Sequence, residues 1–140
     1  MRPAAWAGEA APRRTVHEPG PLFPPARVVP LGGGAKLIFC SGVTARGSAA
    51  AGRPVQDQAR ECLGRLERAL AGEGADLSHL LKITTWLSDM RHYDGFNEVR
   101  RAAFAALATP PASTCVGGAQ STTIDVCIEI EGIAVVPAPA

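Results

Sequence analysis

At 140 residues, with 46% hydrophobic and 19% charged residues, the chain suits one domain that buries a core, and its composition excludes a disordered or collagen-like class. A net charge of +1 and a pI near 7.7 offer no basic field to gather phosphate backbones, so nucleic acid is not an expected partner. No apolar run approaches the roughly 20 residues needed to cross a bilayer, and Glu9 and Pro12 interrupt MRPAAWAGEAAPRR before a secretory core forms, so a cytoplasmic protein away from membranes is expected.

Residues 1–26 are rich in Ala, Pro and Gly, and Pro19, Pro21, Pro24 and Pro25 forbid a regular helix, which predicts an extended arm ahead of a single domain over 27–140. AKLIFCSGV at 35–43 is a strand-length apolar run after the Gly32-Gly33-Gly34 turn, with RVV at 27–29 as its hairpin partner. TARGSAAAGRP at 44–54 is turn-like, and Pro54 suits a helix start. From Val55 to about Ala71, apolar residues recur at three and four while charged ones take the other face, the pattern of an amphipathic helix, with Gly72 and Gly74 where its stop belongs. Asp76 or Ser78 opens a short turn, and LLKITTWLSDM at 80–90 alternates as a strand. A second amphipathic helix is predicted from about Tyr93 to Leu107, ended by Pro110 and Pro111. Strands are then expected over 113–118 and 124–136, so the order is ββαβαββ. The economical packing is an α+β domain with both helices on one face of a mixed sheet. The other sheet face then needs cover, which points to an oligomer.

Few residues suggest chemistry. Glu129 and Glu131, two apart on a strand, share one face; they suit a general base or water-holder, or else a solvated face or an interface ion pair. Cys115, beside Ser113 and Thr114, is an activated thiol or a small packed hydrophobe. Ser41-Gly42 is a pair of backbone donors at a strand end or a simple turn, and Asn97 bonds across a boundary or is solvated. His92 sits in a loop-like stretch where solvent exposure is the default. Cys40, Cys62, Cys115 and Cys127 are spread singly, and His17, His79 and His92 show no ligand spacing, so free thiols are expected and no metal. The three glycines lack a Walker Lys-Ser/Thr and open no GxGxxG helix, and SGVTA lacks the GxSxG frame.

Taken in order, LIFCSGVTA, VQDQARECLGRLERAL, LLKITTWLSDMRHYDGFNEVRRAAF, PPASTCV and IEIEGIAV resemble successive motifs of the RidA (YjgF-type) family over about residues 36–136. The resemblance implies a chorismate-mutase-like fold, a homotrimer with three intersubunit clefts, and hydrolysis of small enamines and imines such as 2-aminoacrylate with no cofactor. It assigns Ser41 and Gly42 to the cleft lining, Asn97 to its shape, Cys115 to a backbone or thiol contact, and Glu129 to the attacking water. Ser113 and Thr114 fall in the substrate-binding motif.

Two departures stand out. The family's Gly-Pro-Tyr is Gly20-Pro21-Leu22, and its Pro-Ala-Arg is Pro111-Ala112-Ser113. A guanidinium grips a carboxylate through two charged hydrogen bonds where a serine offers one neutral bond, a difference on the order of 1.5–3 kcal/mol. Arg27, Arg91, Arg100 and Arg101 are the arginines available to replace it, and the sequence does not place them. The expected activity is therefore a RidA-like hydrolysis of an imine, enamine or related carbonyl on a non-standard substrate. The alternative is a trimeric metabolite- or partner-binding protein whose chemistry has lapsed. Chorismate-mutase activity on the same fold finds no motif to support it.

Overall fold

A computed structural model of the chain describes residues 22–139, so most of the expected arm, including Gly20 and Pro21, lies outside the described residues. Strand β1 (Ala26–Gly32) pairs antiparallel with β2 (Ala35–Thr44) around Gly32, Gly33 and Gly34, whose φ angles of 90°, 61° and 88° call for residues without a Cβ. Helix α1 (Val55–Ala71) follows, and the chain turns away from it at Gly74, where φ is 70° and the next N–H, of Ala75, returns to the Leu70 carbonyl. After a 3₁₀ turn at Leu77–His79, capped by the Asp76 carboxylate, come β3 (Leu80–Leu87), a second turn at Met90–His92, α2 (Tyr93–Phe104), β4 (Ala112–Val116) and β5 (Ile128–Val136).

The sheet order is β1-β2-β5-β3-β4, with β3 and β4 parallel across the α2 crossover and every other pair antiparallel. The helices pack against the sheet as the sequence predicts. Leu66, Leu70 and Phe96 meet Ile38, Ile83, Leu87, Ile128 and Ile130, all fully buried, in one hydrophobic cluster. On the opposite face Phe39 pairs with Ile133 and Leu37 with Val135, and Phe39 remains 43% exposed.

Several boundaries move, for local reasons. The last strand, expected from 124, begins at Ile128 because the backbone before it bonds elsewhere. The Asp125 carbonyl accepts from Gly52 N–H at 2.7 Å, and the Cys127 carbonyl accepts from Ser88 N–H at 3.0 Å. Gln58, only 2% exposed on α1, completes the tie: its Oε1 accepts from Cys127 N–H at 2.9 Å, and its Nε2 donates to the Arg53 and Asp125 carbonyls. The strand expected over 80–90 ends at Leu87, because Asp89 caps the following turn by accepting from Arg91 N–H at 2.8 Å. The fourth strand ends at Val116, before Gly117, whose missing Cβ makes room for Met90, and Gly118 at φ 74°. The second helix gives way after Phe104 to tight turns closed by Ala105 N–H on Ala102 and Leu107 N–H on Phe104.

If Gln58 holds this junction, Gln58→Leu strands buried backbone groups. Urea unfolding should then show a loss of about 1–3 kcal/mol. A change within about 0.5 kcal/mol, the range of an ordinary surface substitution, would contradict that role.

Candidate functional site

Because side chains alternate along a strand, pairing decides which candidates meet. Thr44, Glu129 and Trp86 are paired in a row across β2, β5 and β3, so their side chains share the face turned away from the helices. The β2 ladder is irregular between Cys40 and Val43, and within that irregularity Gly42 lies directly beneath the half-buried Glu129 carboxylate. A Cβ at Gly42 would collide with Glu129 Oε1 and the carboxyl carbon. In the observed rotamer the Glu129 carboxylate occupies the space that a side chain at position 42 would take. Thr114 belongs to the same face, through its pairing with Thr84, and accepts from Lys82 Nζ at 2.5 Å.

Ser113 and Cys115 face the other way. They pair with Ile83 and Thr85, both fully buried on the helix side. Ser113 Oγ accepts from Arg100 Nη1 at 2.7 Å, and Asn97 Oδ1 accepts from Arg100 Nη2 at 2.6 Å. Asn97 therefore bonds across the turn of α2 to a residue three positions on. The guanidinium carbon also stands 5.6 Å from the Phe96 ring centroid. Ser41, at the strand irregularity, donates its hydroxyl to the Pro24 carbonyl at 2.7 Å and its N–H to the Pro25 carbonyl at 2.9 Å, which fastens the segment leading into β1.

The candidates thus fall into two groups on opposite faces, Gly42, Thr114 and Glu129 on one and Asn97, Ser113 and Cys115 on the other. Within one chain Glu129 and Cys115 do not meet. Arg100 joins the second group as a residue the sequence offered only as one of four arginines; its spacing of three from Asn97, which puts both on one helix face, was the available signal.

Burial shapes the thiols. It pushes Cys40 up to about 11 and Cys62 to about 12, and raises Cys115 above its ordinary 9.0 despite the opposing pull of the Arg100 charge. All four cysteines are free, and among the described residues no group of three or more His, Cys, Asp or Glu side chains could hold a metal ion. No described helix is long and apolar enough to cross a membrane.

A two-helix, five-stranded mixed α+β domain with a carboxylate on its open sheet face defines the class of protein. Residues 28–136 match the family described as Endoribonuclease L-PSP, and the chain belongs to this family, also known as YjgF/RidA. The "Putative reactive intermediate deaminase TdcF" of Escherichia coli is 32% identical over 124 residues, covering 86% of this chain and 93% of TdcF. The mitochondrial protein mmf1 of Schizosaccharomyces pombe is 37% identical over 103 residues, covering 70% of this chain; the match spans 61% of mmf1. Among solved structures, TdcF with bound serine superposes with a TM-score of 0.68 at 32% identity, covering 85% of this chain and 93% of that one. A YjgF-family protein of Neisseria meningitidis gives 0.61 at 31%, covering 73% and 84%.

A raised Cys115 thiol makes a testable statement about reactivity. Its thiolate fraction grows only as pH climbs past the ordinary value, so its iodoacetamide alkylation, followed residue by residue by mass spectrometry, should still be accelerating above pH 9.0. A rate already level near neutrality would mark an activated thiolate and contradict the assignment.

Proposed function

We propose that the protein hydrolyses small reactive imines and enamines, with Glu129 handling the water, in a cleft completed by a second copy of the chain within a homotrimer. The observation that carries this reading is the Glu129 carboxylate seated over Gly42 on the uncovered sheet face. A half-buried carboxylate on a central strand, lying in the space left by Gly42, is a candidate for proton handling.

The chemistry is modest. An enamine tautomerises to the imine; Glu129 accepts a proton from water as the oxygen adds to the imine carbon, and that proton then serves the departing nitrogen. The carbinolamine collapses to a carbonyl and ammonia, with no redox change and no cofactor. The name of the TdcF relative and the serine in its structure support a small amino-acid-derived ligand. Near-neutral charge also favours a small molecule over a polyanion.

Two observations support a second copy. The open face carries exposed Phe39 and, at its edge, Val116 at 46% exposure, apolar surface that association would cover. Glu129 and the Asn97–Ser113–Cys115 group point to opposite sides of the sheet, so a cleft using both needs a neighbour. The soluble, cytoplasmic setting expected from the sequence belongs to this proposal.

The test generates 2-aminoacrylate from serine in situ with a dehydratase and follows imine loss and ammonia release. The purified protein should accelerate both, and Glu129→Gln should lower turnover by about 10²–10⁴. Ligand binding without turnover, or full activity in Glu129→Gln, would overturn the reading.

A further inference from the structure

We propose that Arg100, reaching from α2, supplies the guanidinium that position 113 lacks, and that the cavity beneath it takes the carboxylate of a small imino acid. The inference rests on the proposed hydrolase reading and names the substrate class of that site.

Arg100 is held rather than neutralised. Arg53, Arg60, Arg65, Arg68 and Arg91 each face a carboxylate, whereas Arg100 contacts two neutral oxygens, Asn97 Oδ1 at 2.6 Å and Ser113 Oγ at 2.7 Å, above the ring of Phe96. Among the described residues no acid pairs with it. Neutral acceptors and an aromatic face fix the plane of a guanidinium while leaving its charge, and further N–H groups, for a ligand.

The surroundings fit an anion of modest size. Arg100 lines a cavity of about 420 Å³ with Arg101, Ile83, Phe104, the Pro110-Pro111 pair and Ser113. That volume lies within the range of small-ligand sites, with two cations, no carboxylate and apolar walls that strengthen a charge pair.

Ser113 then changes meaning. It is the acceptor that locates Arg100, and its small side chain leaves the guanidinium room. An arginine at 113 beside Arg100 would set like charges together, so Ser113→Arg alone should not improve the enzyme. The same arginine should help only once Arg100 is gone.

The experiment compares wild type, Arg100→Gln, Arg100→Lys and Arg100→Gln/Ser113→Arg, each checked for native circular dichroism. Turnover is measured on 2-aminoacrylate and on a neutral imine of similar size, and binding of pyruvate as a carboxylate probe is measured by calorimetry. Arg100→Gln should lower kcat/KM for 2-aminoacrylate about ten- to hundredfold, leave the neutral imine within about twofold, and weaken pyruvate by a similar ten- to hundredfold. Arg100→Lys should retain part of the carboxylate preference, and the double variant should regain it. Equal losses on both imines, or pyruvate binding indifferent to Arg100, would overturn the inference. If no imine is turned over by wild type while pyruvate binding still depends on Arg100, the hydrolase reading fails and the carboxylate site stands.

Discussion

The period-two alternation of β5, at the centre of the sheet, is the constraint on which the other features depend. Ile128, Ile130, Gly132 and Ala134 lie buried on the helix side, while Glu129 and Glu131 occupy the other. Each face has a neighbouring side chain packed closely over a glycine. At Gly132 a Cβ would come within 2.8 Å of Leu80 Cδ2 and 3.4 Å of the Leu66 methyls, so bare backbone there lets α1 settle on the sheet. At Gly42 the absent side chain makes space for the Glu129 carboxylate. A one-residue slip of β5 would bury the acids and expose the isoleucines, so the packing of the core and the placement of the acid are one structural decision.

That decision separates the candidate chemistry into halves. On the open face are the Glu129 carboxylate and a row of polar and apolar residues, Thr44, Trp86 and Phe39 among them. On the helix side is a clamped cation over a small cavity at the edge strand β4. A reaction that uses both on one substrate must draw them from different copies, which gives association a chemical purpose beyond hiding Phe39. In this account Ser113 ceases to be a simple loss. The proposed cation stands on the helix and not the strand, and Ser113 accepts a hydrogen bond from it.

Much of the fold was legible because long periodic segments report burial directly. The spacing from Val55 to Ala71 and the alternation from Leu80 to Leu87 each have one reading in which apolar residues reach a core. The start of the last strand was not legible, since 124–127 has a strand's composition and is withheld from the ladder by Gln58, a polar residue 66 or more positions away whose burial no local pattern discloses. The candidate site was legible as residue types and not as an arrangement. Motif resemblance assigns Glu129 and Cys115 to a cleft between subunits, and within one chain their strands present them to opposite faces. The clamp on Arg100 depends on α2 lying over β4, a tertiary relation that the three-residue step from Asn97 only hints at.

The central claim is that a working site combines Glu129 of one copy with the Arg100 half of another. Mixing Glu129→Gln with Arg100→Gln under conditions where native mass spectrometry shows mixed assemblies tests it most directly. The account predicts 2-aminoacrylate turnover in the mixture above that of either parent, because some clefts then contain both intact halves. Mixed assemblies no more active than their parents, alongside an active wild type, would contradict it.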